Sequence, residues 1–412
     1  MELEFRRCKV LLAVAAVGAA LVATPAASAA SGKTALPIRP ALSPAQARFS
    51  EIGGGAPVLS TAKTVAHWHG TFVDPHDGIT YGFNMVGSDP ASNTSTTIQP
   101  VIVPIDIAFP AQGNFTLQGG PAAVALSQSP VWDTENYSQS GDTDVQYGDA
   151  VMRAQFNKVG SNYHVRLAAP IMHAPVTFSV PSGQGFAAQF SDENGPIGGL
   201  VHVSWAASVI TQLDNALRLD PTQVPVYVTD NVLLYDKRDL SDCCIIGFHG
   251  ASEVNGQGTG SGHGNGNQTV QTFIWSSYLR PGVFFTTDDP SDMSGGHYLQ
   301  DVHPLSHEVS EWMDDPFVNN KVEPWLTPTA PQYGCTDVLE TGDPVVGIGF
   351  HQGTNPFFQA TAYGADGFWH PEDEVFLSWF AREVPSRAID GNYTFMGPAN
   401  PFEGFHQPAT GC

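Results

Sequence analysis

Pro304 and Pro316 frame the segment Leu305–Asp315 and leave it little choice but a short helix. Proline suits a first helical turn, where its missing N–H has no intrahelical partner, and it stops a helix that runs into it. Asp314 and Asp315 mark the exit. His307 and Glu311 are four residues apart, so their side chains share one face about one turn apart, with Glu308 one position round. His303 has the same spacing one turn earlier, but a residue before proline is biased to extended backbone. It is therefore expected at the helix start, outside the helix proper, as a reserve ligand.

The pattern His307-Glu308-Val309-Ser310-Glu311 resembles the His-Glu-x-x-His helix of zinc peptidases, with Glu311 in place of the second histidine. Carboxylate oxygen is an accepted zinc ligand, so His307 and Glu311 form a chemically sound pair. Glu308 is then placed to act as general base on a water molecule. A catalytic zinc needs a third protein ligand. The candidate is Glu340, in an acidic Glu-x-x-Asp turn about thirty residues on; Asp343 of the same turn is either an orienting partner or the ligand itself. Read without metal, the same pentapeptide is an amphipathic helix with its acids facing water.

Upstream, short apolar and β-branched runs alternate with turn residues: Thr64–Phe72, Ile79–Val86, Thr97–Phe109, Tyr163–Leu167 and Val176–Val180. Pro104 inside Val101–Ile107 suggests an edge or a bulge. Trp205–Leu217 has helical spacing, and strands are expected at Val224–Thr229, Val232–Tyr235, Ile245–Phe248, Thr272–Tyr278 and Val345–Phe350. The strand at Ile245–Phe248 delivers His249 at its end, as a site residue or a hydrogen-bonded structural one. Pro371–Glu383 reads as a short helix opening on acids, and His351 as a residue placed to meet a substrate. His67 and His69 alternate onto one strand face, more in keeping with a hydrogen-bonded or solvent-facing couple than with a metal pair. Asp142 and Asp144 read as a solvated loop that could hold calcium. Asn255–Asn267 alternates glycine with small polar residues and reads as a mobile loop.

Gly (42) and Pro (32) are abundant while charged residues make up only 14%, which favours a β-rich, loop-rich protein over a helical bundle. The expected fold class is α+β, with a β-rich region over residues 61–215 and a helix-containing, metallopeptidase-like region over 216–412. Residues 1–30 read as an export signal: Arg6, Arg7 and Lys9, then the apolar run Val10–Val22, then Ala27-Ser28-Ala29 as a small-residue cleavage site. Residues 31–60 read as a flexible leader, or a propeptide. Removing the signal takes three positive and two negative groups from a chain of net charge −23. So acidic a chain is a poor partner for nucleic acid or an anionic membrane, and no later stretch is long and apolar enough to span one.

Four cysteines remain beyond the signal: Cys243, Cys244, Cys335 and Cys412. An even number in an exported chain favours disulfides, of which three connectivities exist. The preferred one is a bridge between the adjacent Cys243 and Cys244, leaving Cys335 with Cys412 near the Glu340 turn.

The run Ser306–Asn320, with Leu339–Pro344, resembles a group of uncharacterised secreted bacterial proteins that carry a His-Glu-x-x-Glu helix; His67–Gly70, Tyr163–Val165 and Gly247–His249 extend the resemblance. A second resemblance is to the exordium-like (phosphate-induced) proteins of plants, in Gly247–Gly250, His307–Glu311 followed by Asp315-Pro316, and Glu340–Asp343. Both acidic elements recurring in order imply a peptidase-like zinc site with Glu340 as third ligand. The functional expectation is a secreted zinc hydrolase acting on protein or peptide. The alternative is a non-catalytic secreted or cell-surface protein that binds a cell-wall component and keeps the helix.

Overall fold

Val101 to Ile107 is almost continuously apolar, which is how a strand buried on both faces reads. In the computed structural model this run lies inside a long strand, Ser95–Phe109, at the heart of an eight-stranded sheet. The structure describes residues 36–39, 62–236, 243–253, 269–284, 298–329, 331, 334–357 and 366–412. Along the sheet the order is Val176–Ser179, Ser95–Phe109, Gln223–Asp230, Val270–Tyr278 and Gly247–Glu253. Short strands also pair with Ser95–Phe109. The long pairings are parallel until the last, where Gly247–Glu253 runs antiparallel to Val270–Tyr278. Residues from both sides of position 215 therefore build one sheet. The result is a β-rich mixture of strands and five α-helices among the described residues.

Alternation along these strands separates two cores. Ile98, Ile102, Val226, Val228 and Ile274 belong to one apolar cluster; Val101, Val103, Tyr227, Phe248 and Trp275 belong to the other. Pro104 sits at neither an edge nor a bulge. It falls between the residues paired with Ile171–Met172 and those paired with Val176–Ser179, at a break between partner strands. A residue without an N–H is least costly at such a break.

A second, five-stranded sheet has the order Ile38–Arg39, Gly185–Phe190, Ile197–His202, Val232–Tyr235, Cys243–Ile245. Ile38–Arg39, from the expected leader, thus docks as an edge strand. The expected export signal (1–30), the expected leader apart from residues 36–39, and the loop expected over 255–267 lie outside the described residues. Among the described residues no helix is long and apolar enough to cross a membrane. The sulfurs of Cys243 and Cys244, and of Cys335 and Cys412, lie at bonding distance.

Two expected elements are shorter or absent. Val345–Phe350 is not a strand: a 3-10 turn covers Asp343–Val345, and Gly347 has φ 85°, which interrupts any extended run. Pro371–Glu383 is helical only over Leu377–Phe380. The acids ahead of it are drawn to separate partners, Asp373 to Met396 N–H and Asn400, Glu374 to the Tyr147 hydroxyl, and these hold the backbone out of a helix. Asp142 is not in a solvated loop but in a strand, where its carboxylate meets the buried Arg153 guanidinium at 2.5 Å. His67 Nδ1 donates to Val65 O at 3.0 Å, and His69 is exposed.

One buried acid makes a prediction independent of the candidate site. The helix Val203–Leu217 buries Asp214, which accepts from Tyr227 Oη at 2.5 Å and Ser252 Oγ at 3.1 Å. Burial pushes its carboxyl up to about 6 against those two hydrogen bonds. A carboxyl raised on folding favours the folded state at low pH, and that advantage is lost as pH rises from about 4 through 6. Asparagine, without the charge, keeps the Tyr227 bond through Oδ1 and meets Ser252 with the direction reversed, its Nδ2–H donating to Ser252 Oγ. Asp214→Asn should therefore be more stable than wild type at pH 8, by about 1–3 kcal/mol, and no more stable at pH 4. Urea denaturation at the two pH values checks this.

Candidate metal centre

The helix His303–Asp314 has an apolar stripe of Leu305, Val309, Trp312 and Met313 that packs into the first core. Its other face would ordinarily meet water. Here every residue of the helix is buried, including His307, Glu308 and Glu311. Trp312 Nε1 donates to Thr272 Oγ1 at 3.0 Å, tying the helix to the sheet. Contrary to expectation, the helix starts at His303 itself; its N–H donates to Gln300 O at 3.0 Å, a tight lead-in turn compatible with a following proline.

What covers the polar face follows from strand alternation. Phe248 turns into the second core, so Gly247 and His249 turn toward the helix. His249 Nε2 donates to Asp315 O at 3.1 Å, which leaves Nδ1 facing Glu308 Oε2 at 3.3 Å and Glu311 Oε2 at 3.6 Å. His307 is held in the complementary way. Its Nδ1 donates to Glu372 Oε2 at 2.8 Å, and its Nε2 faces Glu311 Oε2 at 3.0 Å and Asp343 Oδ1 at 4.0 Å. Each imidazole is thus pinned from behind with its second nitrogen aimed at carboxylates, as metal-ligating histidines are.

Glu311 is the hub. Its Oε1 accepts from the backbone N–H groups of Gly342 and Asp343 at 3.0 and 3.1 Å, while Oε2 faces both imidazoles. Two sets of ligand atoms, His249–Glu311–Glu340 and His307–Glu311–Asp343, each fall within 4.8 Å. All these side chains are buried except Asp343, which keeps 25% of its surface and is the outward-facing member.

Charge decides what this ring needs. Glu308, Glu311, Asp343, Glu372 and Glu374 surround His249, His303 and His307, and among the described residues no lysine or arginine forms an ion pair with any of these five carboxylates. Asp74 and Glu323 elsewhere make the contrast, because Arg382 sits between them at 3.0 and 3.2 Å. Burying unneutralised carboxylates is costly, so such a ring takes up protons or a cation. Burial drives His307 and His249 toward the neutral form, but the carboxylates, Glu311 and Glu372 for His307 and Glu308 and Glu311 for His249, outweigh it and hold both pKa values up. Burial likewise pushes Glu311 up, yet the charge of His307 outweighs it and holds Glu311 low. Burial pushes Glu308 up to about 7, opposed by His249 and His307. Glu308 Oε1 has no hydrogen-bond partner among the described residues. The donor set of imidazole nitrogen and carboxylate oxygen fits zinc.

The chain matches no family model, no curated protein and no solved structure. The ring is therefore read from its own chemistry.

Of the residues singled out in the sequence, His307, Glu308, Glu311, Glu340, Asp343 and His249 come together here. His303 does not join a ligand set; its Nε2 lies 3.2 Å from Glu372 Oε2, behind His307. Sequence reasoning missed Glu372 and Glu374. The available signal was His370-Pro-Glu-Asp-Glu374, a dense acidic run in a chain that is only 14% charged. It also missed why two glycines stand where they do. A Cβ at Gly247 would lie 2.6 Å from Glu308 Cγ, and one at Gly342 would lie 2.5 Å from His307 Cε1. Gly342→Ala should therefore displace His307 and cost about 1–3 kcal/mol of stability. Denaturant unfolding of the variant checks this.

Proposed function

We propose that the chain is an exported zinc-dependent hydrolase, of the peptidase class, in which Glu308 is the general base. The observation that carries this reading is the buried ring itself: two imidazoles pinned from behind, converging on Glu311, with Glu340 and Asp343 alongside. His307, Glu311 and Glu340 would hold the ion, with His249 Nδ1 and Asp343 within reach. Zinc bound there would supply a Lewis acid and lower the pKa of a water molecule. Glu308 would take the proton from that water. Its carboxyl, raised to about 7 by burial, suits proton transfer in both directions near neutral pH. His249 faces Glu308 Oε2 and would steer the other oxygen, Oε1, toward the water. The metallopeptidase-like character of residues 216–412 belongs to this proposal.

A second reading is favoured by one specific observation. Among the described residues only Asp343 opens the ring to solvent, and a closed site suits a structural ion in a binding protein of the cell surface. Zinc content and turnover on a broad peptide library separate the two. The hydrolase reading expects zinc in the ring, turnover, and loss of the ring's zinc and of turnover in Glu311→Ala. Tight zinc binding with no turnover on any peptide supports the binding protein instead, and a ring that takes up no zinc removes the hydrolase reading.

A further inference from the structure

A second group of ligand atoms lies outside the ring. His351 Nε2 is 2.9 Å from Asp366 Oδ2, and His370 Nε2 is 3.4 Å from the same oxygen. One ligand atom from each of these residues falls within 4.8 Å of the other two. His370 is fully buried; its backbone N–H and its Nδ1 both donate to the buried Asp301 carboxylate, at 3.0 and 2.7 Å. Asp301 thereby keeps the ring proton on Nδ1 and turns Nε2 toward Asp366, with the Gln300 side-chain amide beside it at 3.5 Å. That backing by a carboxylate is how proteins orient a ligating histidine. His351 is held from the sides instead, by the Tyr298 ring at 5.2 Å and the Phe368 ring stacked at 5.1 Å. The His351 and Asp366 side chains are 30% and 22% exposed, so an ion can reach the group from solvent.

We propose that His351, Asp366 and His370 are the ligands of a second transition-metal site, with Asp301 as its positioning residue. Two imidazoles and one carboxylate suit zinc, cobalt(II) or nickel(II); calcium and magnesium take mostly oxygen. Three protein ligands leave a position for water or an outside group. The site shares no ligand with the ring, so it does not depend on the ring being catalytic. The two are neighbours in sequence through a reciprocal arrangement. The lead-in to the site helix supplies Asp301 to His370, while Glu372 is supplied back to His303 and His307.

The test is a cobalt(II) titration of the full chain after chelator treatment, for wild type, His351→Ala and Glu311→Ala. About two bound equivalents are expected in wild type, with about one in each variant. If the ring alone is misread, the same series gives one, none and one. Asp301→Asn should keep the stoichiometry and weaken this site about 10–100-fold; asparagine tolerates the φ of 40° at that position. His351→Ala removes a half-exposed side chain, so its metal-free circular dichroism should match wild type. X-ray absorption of zinc-loaded Glu311→Ala, expected to show two imidazole ligands, reports on the site without altering it. Metal stoichiometry unmoved by His351→Ala, or a Glu311→Ala zinc with no imidazole shell, overturns the proposal.

Discussion

Glu308→Gln should keep its zinc and lose hydrolysis. Glutamine has the shape of glutamate, and at position 308 it replaces a side chain that is fully buried against His249 and His307. The groups proposed to hold zinc, His307, Glu311 and Glu340, are untouched, so metal content should stay at the wild-type value. What is removed is the ability to accept a proton. A positioned general base contributes about 10²–10⁴ to rate, and a fall of that size in kcat with unchanged zinc is the expected result. Elemental analysis and initial rates on one peptide substrate, taken from the same preparation, give both numbers. Full turnover in the variant would falsify the assignment of Glu308 as base, while leaving the metal centre standing.

Glu311→Ala should have the larger structural effect. One Glu311 oxygen receives the Gly342 and Asp343 N–H groups, and the other faces His307 and His249. Truncation leaves the Gly342 and Asp343 N–H groups without their acceptor and removes a carboxylate that helps hold the His307 and His249 pKa values up. Breaking a buried ion pair by removing one partner costs about 3–5 kcal/mol. The variant should also lose the ring's zinc, and with it the stabilisation that a ligand confers on the folded state, about 4 kcal/mol at a thousandfold excess over Kd. Urea unfolding of both chains, with and without added zinc, separates the two contributions. A Glu311→Ala chain that unfolds at the wild-type urea concentration would remove Glu311 from the centre of the ring. Glu311→Gln is the companion variant: it keeps an acceptor for the two backbone N–H groups, so it should recover part of the stability and little of the zinc.

Local chemistry determined a good deal on its own. Pro304 and Pro316 bounded the helix, and helical spacing placed His307, Glu308 and Glu311 on adjoining positions, because these depend only on residues within one or two turns. The apolar run Val101–Ile107 announced a buried strand, though Pro104 pointed wrongly to an edge or a bulge, and the pairing of Cys335 with Cys412 was one of a small number of choices. The strand expected at Ile245–Phe248 is instead interrupted at Ile246, and His249 lies within the strand Gly247–Glu253 rather than at a strand's end.

Tertiary structure decided what surrounds those residues. An amphipathic helix with acids on one face normally meets water, and its sequence alone does not distinguish that case. Here the edge strand Gly247–Glu253, the turn at Glu340–Asp343 and the segment around Glu372 close over the polar face. Glu372 is 65 residues from His307, and Asp301 is 69 residues from His370. No local periodicity encodes such pairings. They arise because a buried imidazole and a buried carboxylate each cost less together than apart, a condition imposed only once the chain has folded and removed the water from both.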